Sequence, residues 1–233
     1  LSGSQNFLLL KRISQSLAGR VGLVRLLPLS YAEVKASRPV SLDQFVFRGG
    51  YPRLYNVDMP SRVFFENYVS TYIERDVAGY LDVRNIVSFE RLLRLCAHNA
   101  GNLLNITRLA SDVSVAQDTV RSWLSILESS YIIFQLPPYY ANVRKRLTKT
   151  PKLYFHDTGL LCYLLGIQSQ EELLASSHFG AVFENFVISE TVKHHLNVGE
   201  KLHLFFYRDD SKMEVDLVDA TNPSSTKLAE IKS

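Results

Sequence analysis

The chain has 233 residues, of which 46% are hydrophobic and 21% are charged, and these proportions exclude a disordered or collagen-like protein. A chain of this length forms one or two domains of roughly 100–200 residues each. The net charge of +3 is too small to indicate nucleic-acid binding by the whole surface.

The two cysteines, Cys96 and Cys162, lie far apart in apolar helical patterns. This placement argues against a disulfide framework or a zinc site and favours a reducing compartment. No run approaches the ~18 consecutive apolar residues that span a bilayer, and the first residues lack the features of a signal peptide. We therefore expect a cytoplasmic protein without membrane association.

The first segment, 1–37, has the pattern of an α/β layer. Helical spacing of apolar residues predicts a helix over 5–18, and the apolar run over 21–29 is typical of a buried strand. Because one helix and one strand cannot cover both faces of a sheet, we interpret this segment as part of a larger core.

The second segment, 38–86, is predicted to be a helical connector. A turn over 48–53 interrupts it, where Gly49 and Gly50 permit positive φ. A long helix is predicted over about 60–76 from helical apolar spacing. Its apolar face consists of Val63, Phe64, Tyr68, Tyr72 and Ile73.

The third segment, 87–155, has the order of a winged helix-turn-helix. Helices are predicted over 89–99, 105–112 and 119–130, and strands over 131–136 and 152–155. The third helix divides into an apolar and a polar face, as recognition helices do. Its apolar residues are Val120, Trp123, Leu124 and Leu127, and its polar residues are Gln117, Asp118, Arg121, Ser122 and Ser125.

A basic strip over 139–152 lies between the two predicted strands and contains no acid. Such a strip is typical of phosphate binding. The alternative is contact with a protein or a neighbouring domain, since Asp112 and Asp118 weaken the positive surface, and both interpretations stay open. The predicted nucleic-acid contacts are Gln117, Arg121, Arg144, Lys145, Arg146 and Lys149.

The last segment, 156–233, predicts two helices and then three strands. The helices span 158–165 and 180–196, and the strands span 201–208, 213–219 and 227–232. His156 and Asp157 are interpreted as a helix N-terminus that Asp157 or Thr158 caps, rather than as part of a Ser/His/Asp catalytic site. His194 and His195 end the second helix, where an imidazole suits the helix dipole.

The strongest chemical signal is the order of charged residues in this last segment. If the second and third strands pair, Asp216 lies beside Glu230, and Glu230 shares a strand face with Lys232. Two carboxylates suit Mg²⁺, and the lysine would steady a water or a phosphate. We predict Glu184, Asp216, Glu230 and Lys232 as catalytic residues, with Asp216 and Glu230 as metal ligands.

This order resembles the PD-(D/E)XK nuclease-like core. The alternative is that charged residues merely alternate along an exposed strand. Such cores are also reused as interaction domains with degenerate sites, so nuclease activity stays an open prediction.

Several strings in a fixed order resemble a large family of bacterial and archaeal AAA-like P-loop ATPases, over essentially the whole chain. They are LSGSQNF at 1–7, LAGR at 17–20, LLPLS at 26–30, GGYP at 49–52, YIERDV at 72–77, KLYFHDTGL at 152–160, FEN at 183–185 and EVD at 214–216.

The resemblance implies that Ser2 or Ser4 senses the γ-phosphate of ATP and that Arg20 acts as a finger or sensor. The chain has neither a G-x-x-x-x-G-K-[ST] loop nor a Walker B acid, so ATP and Mg²⁺ binding are expected of the full-length protein alone. Because the sequence starts with Leu1 and ends in a strand-like run, we expect an incomplete piece of that protein.

The sequence thus predicts a mixed α/β chain with four parts. These are a P-loop core remnant over 1–37, a helical connector over 38–86, a winged helix over 87–155 and a truncated nuclease-like domain over 156–233. The expected function is to couple nucleotide state to binding of DNA or a protein partner, as a monomer or an oligomer. The alternatives are a Mg²⁺-dependent DNA nuclease and a catalytically degenerate interaction scaffold.

Overall fold

The computed structural model describes residues 25–73, 77, 83–140, 149–209, 213–222 and 224–232. The predictions made for Ser2, Ser4, Arg20, Arg144, Lys145 and Arg146 lie outside the described residues. Within that part, the chain is a mixed α/β protein with ten helices and two small antiparallel sheets.

The helices are α1 Tyr31–Ser37, α2 Leu42–Arg48, α3 Arg53–Asn56, α4 Ser61–Tyr72, α5 Val83–His98, α6 Ile106–Val113, α7 Gln117–Ser129, α8 Thr158–Leu164, α9 Gln170–Ala175 and α10 Phe179–Asn197. The strands are β1 Ile133–Leu136, β2 Lys152–Phe155, β3 Leu204–Arg208, β4 Glu214–Asp219 and β5 Lys227–Ala229.

The strand predicted over 21–29 is wrong for its described part, because residues 25–29 run as irregular chain. The side chain of Leu26 is exposed, and the Leu29 N–H donates to Gly50 O at 2.7 Å, in a turn rather than in a neighbouring strand. Pro28 removes one donor from any ladder here, which disfavours a strand.

In α4 the prediction missed Phe65, which is buried, whereas Val63 is partly exposed.

Helices α5, α6 and α7 and the β1–β2 hairpin follow the predicted order. The hairpin is antiparallel, with Ile133 opposite Phe155 and Leu136 opposite Lys152. On α7 the predicted apolar residues are buried and the predicted polar ones are exposed. The division of α7 into two faces is therefore confirmed.

The last part contains α8, α10 and the antiparallel sheet β3-β4-β5, close to their predicted bounds. The prediction missed α9, since its six residues are too few to show a helical period. Strand β5 ends at Ala229 instead of residue 232, because the main chain beyond it does not continue the hydrogen-bond ladder with β4. There the Ile231 N–H donates to the Asp216 carboxylate at 2.8 Å instead of to a strand carbonyl.

Helix α10 lies between two apolar clusters. Val182 and Phe186 belong to the main core, which extends through the connector helices and the three-helix unit, whereas Ile188 and Val192 pack with β3 and β4. The segment 137–139 pairs with β3, where the Tyr139 N–H donates to Phe206 O at 2.6 Å. The end of β1 is thereby held beside β3. Among the described helices, none combines the length and apolar character that a bilayer crossing requires.

Candidate functional site

The candidate site forms where β2, α10 and β4 meet. Alternate residues of a strand point to opposite faces. Leu153 and Phe155 of β2 therefore enter the main core, whereas Tyr154 packs in the smaller cluster toward the three-stranded sheet. Lys152 lies on the same side as Tyr154 and is 5% exposed.

The ammonium group of Lys152 lies among three carboxylates. Its Nζ atom is 2.6 Å from Glu214 Oε1, 3.3 Å from Glu184 Oε1 and 3.9 Å from Asp216 Oδ1. The Tyr154 hydroxyl donates to the same Glu184 Oε1 at 2.6 Å. We refer to Lys152, Tyr154, Glu184, Glu214 and Asp216 as the Lys152 cluster.

Electrostatics keep the lysine of this cluster charged. Burial alone lowers the pKa of Lys152, but the hydrogen bond to Glu214 and the charges of Glu184 and Glu214 outweigh burial, so the pKa lies above its usual value. Burial, reinforced by the neighbouring carboxylate of Glu184, raises the pKa of Tyr154. At neutral pH the cluster therefore contains a cationic lysine and a phenol that donates its proton.

The position of Glu184 is fixed by the residue that follows it. Asn185 is fully buried, and its side-chain amide accepts from Phe155 N at 2.7 Å and donates to Phe155 O at 2.9 Å. The amide therefore satisfies the main chain of β2 as a neighbouring strand would. This contact fixes α10 against β2 and sets Glu184 beside Lys152 and Tyr154.

A second contact joins the two segments that contain the GGYP and HDTG strings. The Asp157 carboxylate accepts from Gly50 N at 2.7 Å and from Leu160 N at 2.8 Å. The residue is 2% exposed, and burial raises its pKa. Of the two predicted caps, Asp157 is the residue that caps α8. It also holds the glycine turn against that helix.

The predicted catalytic residues separate into two pairs. Glu184 and Asp216 both face the Lys152 ammonium. Glu230 and Lys232 pair with one another at 3.1 Å, and their side chains are 65% and 78% exposed. The structure thus brings Glu184 and Asp216 together and leaves Glu230 and Lys232 at the surface; the catalytic roles stay predictions.

Sequence reasoning missed Lys152, Tyr154 and Glu214 as members of the cluster. Glu214 precedes Asp216 by two residues and shares its strand face, a signal that was available in the sequence. The sequence pattern places Lys152 at the end of the basic strip instead, because strand β2 is buried throughout and shows no alternation that would reveal its faces.

The arrangement of the cluster does not fit Mg²⁺. The Lys152 ammonium lies where the three carboxylates converge, and Glu230 is directed toward Lys232. Within the part that the structure describes, no group of three or more His, Cys, Asp or Glu is arranged to hold a metal ion. A divalent cation would have to displace a buried cation of the chain itself.

The predicted nucleic-acid residues in the described part are exposed. Gln117 and Arg121 lie on the polar face of α7, and Lys149 precedes β2. Arg121 Nε is 4.0 Å from Asp118 Oδ1, and on α6 Arg108 Nε is 3.9 Å from Asp112 Oδ2. Both arginines are thus accessible and only loosely paired.

Comparisons with known proteins place the chain among families without an assigned function. The model of a domain of unknown function, DUF8612, matches residues 39–171, and that of another, DUF4143, matches residues 179–233. No solved structure matches the chain.

The curated relatives are longer proteins. An uncharacterized protein of Mycobacterium tuberculosis is 35% identical over 207 residues, which cover 88% of this chain and 45% of the relative. An uncharacterized protein of Methanocaldococcus jannaschii is 24% identical over 241 residues, which cover 94% of this chain and 52% of the relative. The chain thus spans about half the length of these relatives. Because the first family match covers more than half of the chain, the chain belongs to the family described as domain of unknown function DUF8612.

Proposed function

We propose that the chain is the binding part of a longer AAA-like P-loop ATPase and that it binds duplex DNA through the polar face of α7. The observation that supports this proposal is the division of α7, with Trp123 and Leu127 buried and Gln117 and Arg121 exposed. Helix α7 is the third helix before a hairpin, which is the order of a winged helix.

The charges near this face favour DNA over a protein partner. The side chains of Arg108 and Arg121 are 76% and 59% exposed, and each faces an acid at 3.9 or 4.0 Å. Exposed pairs of this kind contribute about 0–1 kcal/mol, so the arginines can exchange the acids for phosphates. Phosphate contacts by Lys and Arg supply most of the salt-dependent affinity for DNA.

The DNA proposal predicts a charge-specific loss of binding. Arg121→Glu is expected to weaken duplex binding by at least about tenfold and to reduce the salt slope by about one, because one phosphate contact is lost and a repulsion is added. Fluorescence anisotropy at several salt concentrations measures both quantities. Lys145→Glu with Arg146→Glu should act in the same direction.

The matched control is Arg62→Glu on α4. Arg62 is 66% exposed and pairs with Glu66 at 3.8 Å, so it resembles Arg108 and Arg121 in exposure and pairing but lies on another helix. Equal losses for Arg62→Glu and Arg121→Glu, or no salt-dependent binding by the wild-type chain, would contradict the proposal. The same assay on the full-length protein, with ATP and with ADP, tests whether nucleotide state alters the affinity.

A nuclease is the second candidate, because Glu184 and Asp216 do converge. The position of Lys152 nevertheless favours a cluster that stabilises the fold. We expect plasmid DNA incubated with the chain and Mg²⁺ or Mn²⁺ to be cleaved no faster than with Asp216→Asn. Cleavage by the wild-type chain that this substitution abolishes would instead establish the nuclease.

A further inference from the structure

His195, in the last turn of α10, has a carboxylate at each of its two ring nitrogens. Its Nδ1 atom is 2.5 Å from Glu200 Oε2, and its Nε2 atom is 2.9 Å from Asp219 Oδ2. Glu200 follows α10 in the chain, whereas Asp219 ends β4. The residue is 8% exposed, so the ring lies within the junction of these elements rather than on the surface.

This geometry determines the protonation state of the ring. A neutral imidazole donates through one nitrogen and presents a lone pair at the other, whereas an imidazolium donates through both. An ionised carboxylate only accepts. Both contacts are therefore hydrogen bonds only when His195 carries a positive charge. Loss of that proton leaves a lone pair facing a carboxylate oxygen, which is repulsive.

The elements beside the ring also carry charged and titratable residues. On α10, the ring of His194 lies 5.4 Å from that of His195, centroid to centroid. On β4, Asp219 Oδ1 also accepts from Thr221 N at 3.0 Å, which fixes the carboxylate toward His195. On β5, Lys227 lies opposite Asp219 in the strand register. The carboxylates of Glu200 and Asp219 contact the ring directly.

We propose that His195 is a pH-sensitive clamp that fixes the C-terminal end of α10 to the β3-β4-β5 sheet while it is protonated and releases that end when it becomes neutral. The clamp joins elements that the chain separates, since Asp219 lies 24 residues after His195. It does not involve the polar face of α7, so the clamp and the DNA proposal can fail independently.

The direction of the pH dependence follows from both partners. Burial lowers the pKa of His195, but the hydrogen bonds and charges of Glu200 and Asp219 outweigh burial and raise it above the usual 6.5. Burial raises the pKa of Asp219, but hydrogen bonds from Thr221 and His195 outweigh burial and lower it below the usual 3.8.

A raised histidine pKa stabilises the fold below the unfolded value and loses that contribution as pH rises through the folded value. A lowered carboxyl pKa acts in the opposite sense and loses its contribution as pH falls. The clamp is therefore complete between the two unfolded values, 3.8 and 6.5, and opens on the alkaline side.

Two measurements at pH 6 and pH 9 test the clamp. The ¹⁵N shifts of the His195 ring should report an imidazolium at pH 6 and a titration above 6.5. Hydrogen-exchange protection of β4 amides, corrected for intrinsic exchange, should fall about tenfold toward pH 9, which is the loss expected when one charge-assisted hydrogen bond is removed. His195→Gln should abolish this pH dependence, and His194→Gln, at the exposed neighbouring position, should retain it.

A second variant tests the clamp even if His195→Gln fails to fold. Asp219→Asn removes one acceptor charge and should move the His195 titration to lower pH in a chain that retains the ring. A ring that titrates at or below 6.5 in the wild-type chain, or equal β4 protection at both pH values, would overturn the clamp. Loss of the pH dependence in His194→Gln would assign it to the neighbouring ring instead and would equally overturn the proposal.

Discussion

Lys152→Met is expected to destabilise the chain by about 3 kcal/mol, because removal of one partner of a buried ion pair leaves its other charges uncompensated. Methionine keeps most of the volume of the side chain, so the loss reports the missing ammonium more than a cavity. The expected value lies at the lower end of the usual range, since the side chains of Glu184, Glu214 and Asp216 are 18–32% exposed and partly hydrated. Urea denaturation at pH 7 measures the change.

An exposed lysine provides the control for this prediction. The matched control is Lys232→Met, whose ammonium also faces a carboxylate but is 78% exposed. It should cost no more than about 0.5 kcal/mol. Equal losses for the two variants would show that the Lys152 cluster does not depend on its lysine.

Gly159→Ala is expected to destabilise the chain by about 2 kcal/mol, although alanine is the better helix former. A Cβ atom at Gly159 would lie 2.3 Å from Arg48 O and 2.8 Å from Gly49 N, which are backbone atoms. These atoms cannot move freely, because Gly49 N donates to Phe45 O at 2.7 Å and its neighbour Gly50 is held by Asp157. The close approach of α2 and α8 thus reverses the sign expected from helix propensity.

The control for this substitution is Gly180→Ala. Gly180 is also the second residue of its helix, α10, but it is exposed. Alanine there should be neutral or stabilise by up to about 0.5 kcal/mol, since the helix gains propensity at an exposed position. Thermal or urea unfolding of both variants gives the comparison. Similar behaviour of the two variants would contradict the close backbone approach.

Local patterns in the sequence predict the elements that have one face toward the core and the other toward water. The faces of α7 follow from helical spacing, because one side meets the core and the other meets water. The cap at Asp157 follows from its place before an apolar helix, although its second role, toward Gly50, depends on a contact 107 residues away in sequence. Such a contact leaves no periodic signal near either residue.

The candidate site was predicted only in part, for a similar reason. The order of Glu184 and Asp216 along the chain was sufficient to propose that they meet. The partner they share, Lys152, comes from a strand that is buried on both faces, so its direction follows from packing with α10 and β4 rather than from alternation. Glu230 and Lys232 share a face, as expected, but β5 ends before them. Strand termination there depends on the Asp216 side chain, which pattern reasoning does not include.

The pairing of segment 137–139 with β3 has a consequence for the two matched families. It joins main chain from the DUF8612 match to a strand of the DUF4143 match, and the Lys152 cluster likewise takes Lys152 and Tyr154 from the first and its carboxylates from the second. The interval between the matches, 172–178, therefore separates two family models in the sequence but does not separate two independently packed domains. A DUF4143 segment expressed alone would present an acidic pocket without its cation and an unpaired edge on β3. The two matched segments are best regarded as complementary fragments of one cooperative unit.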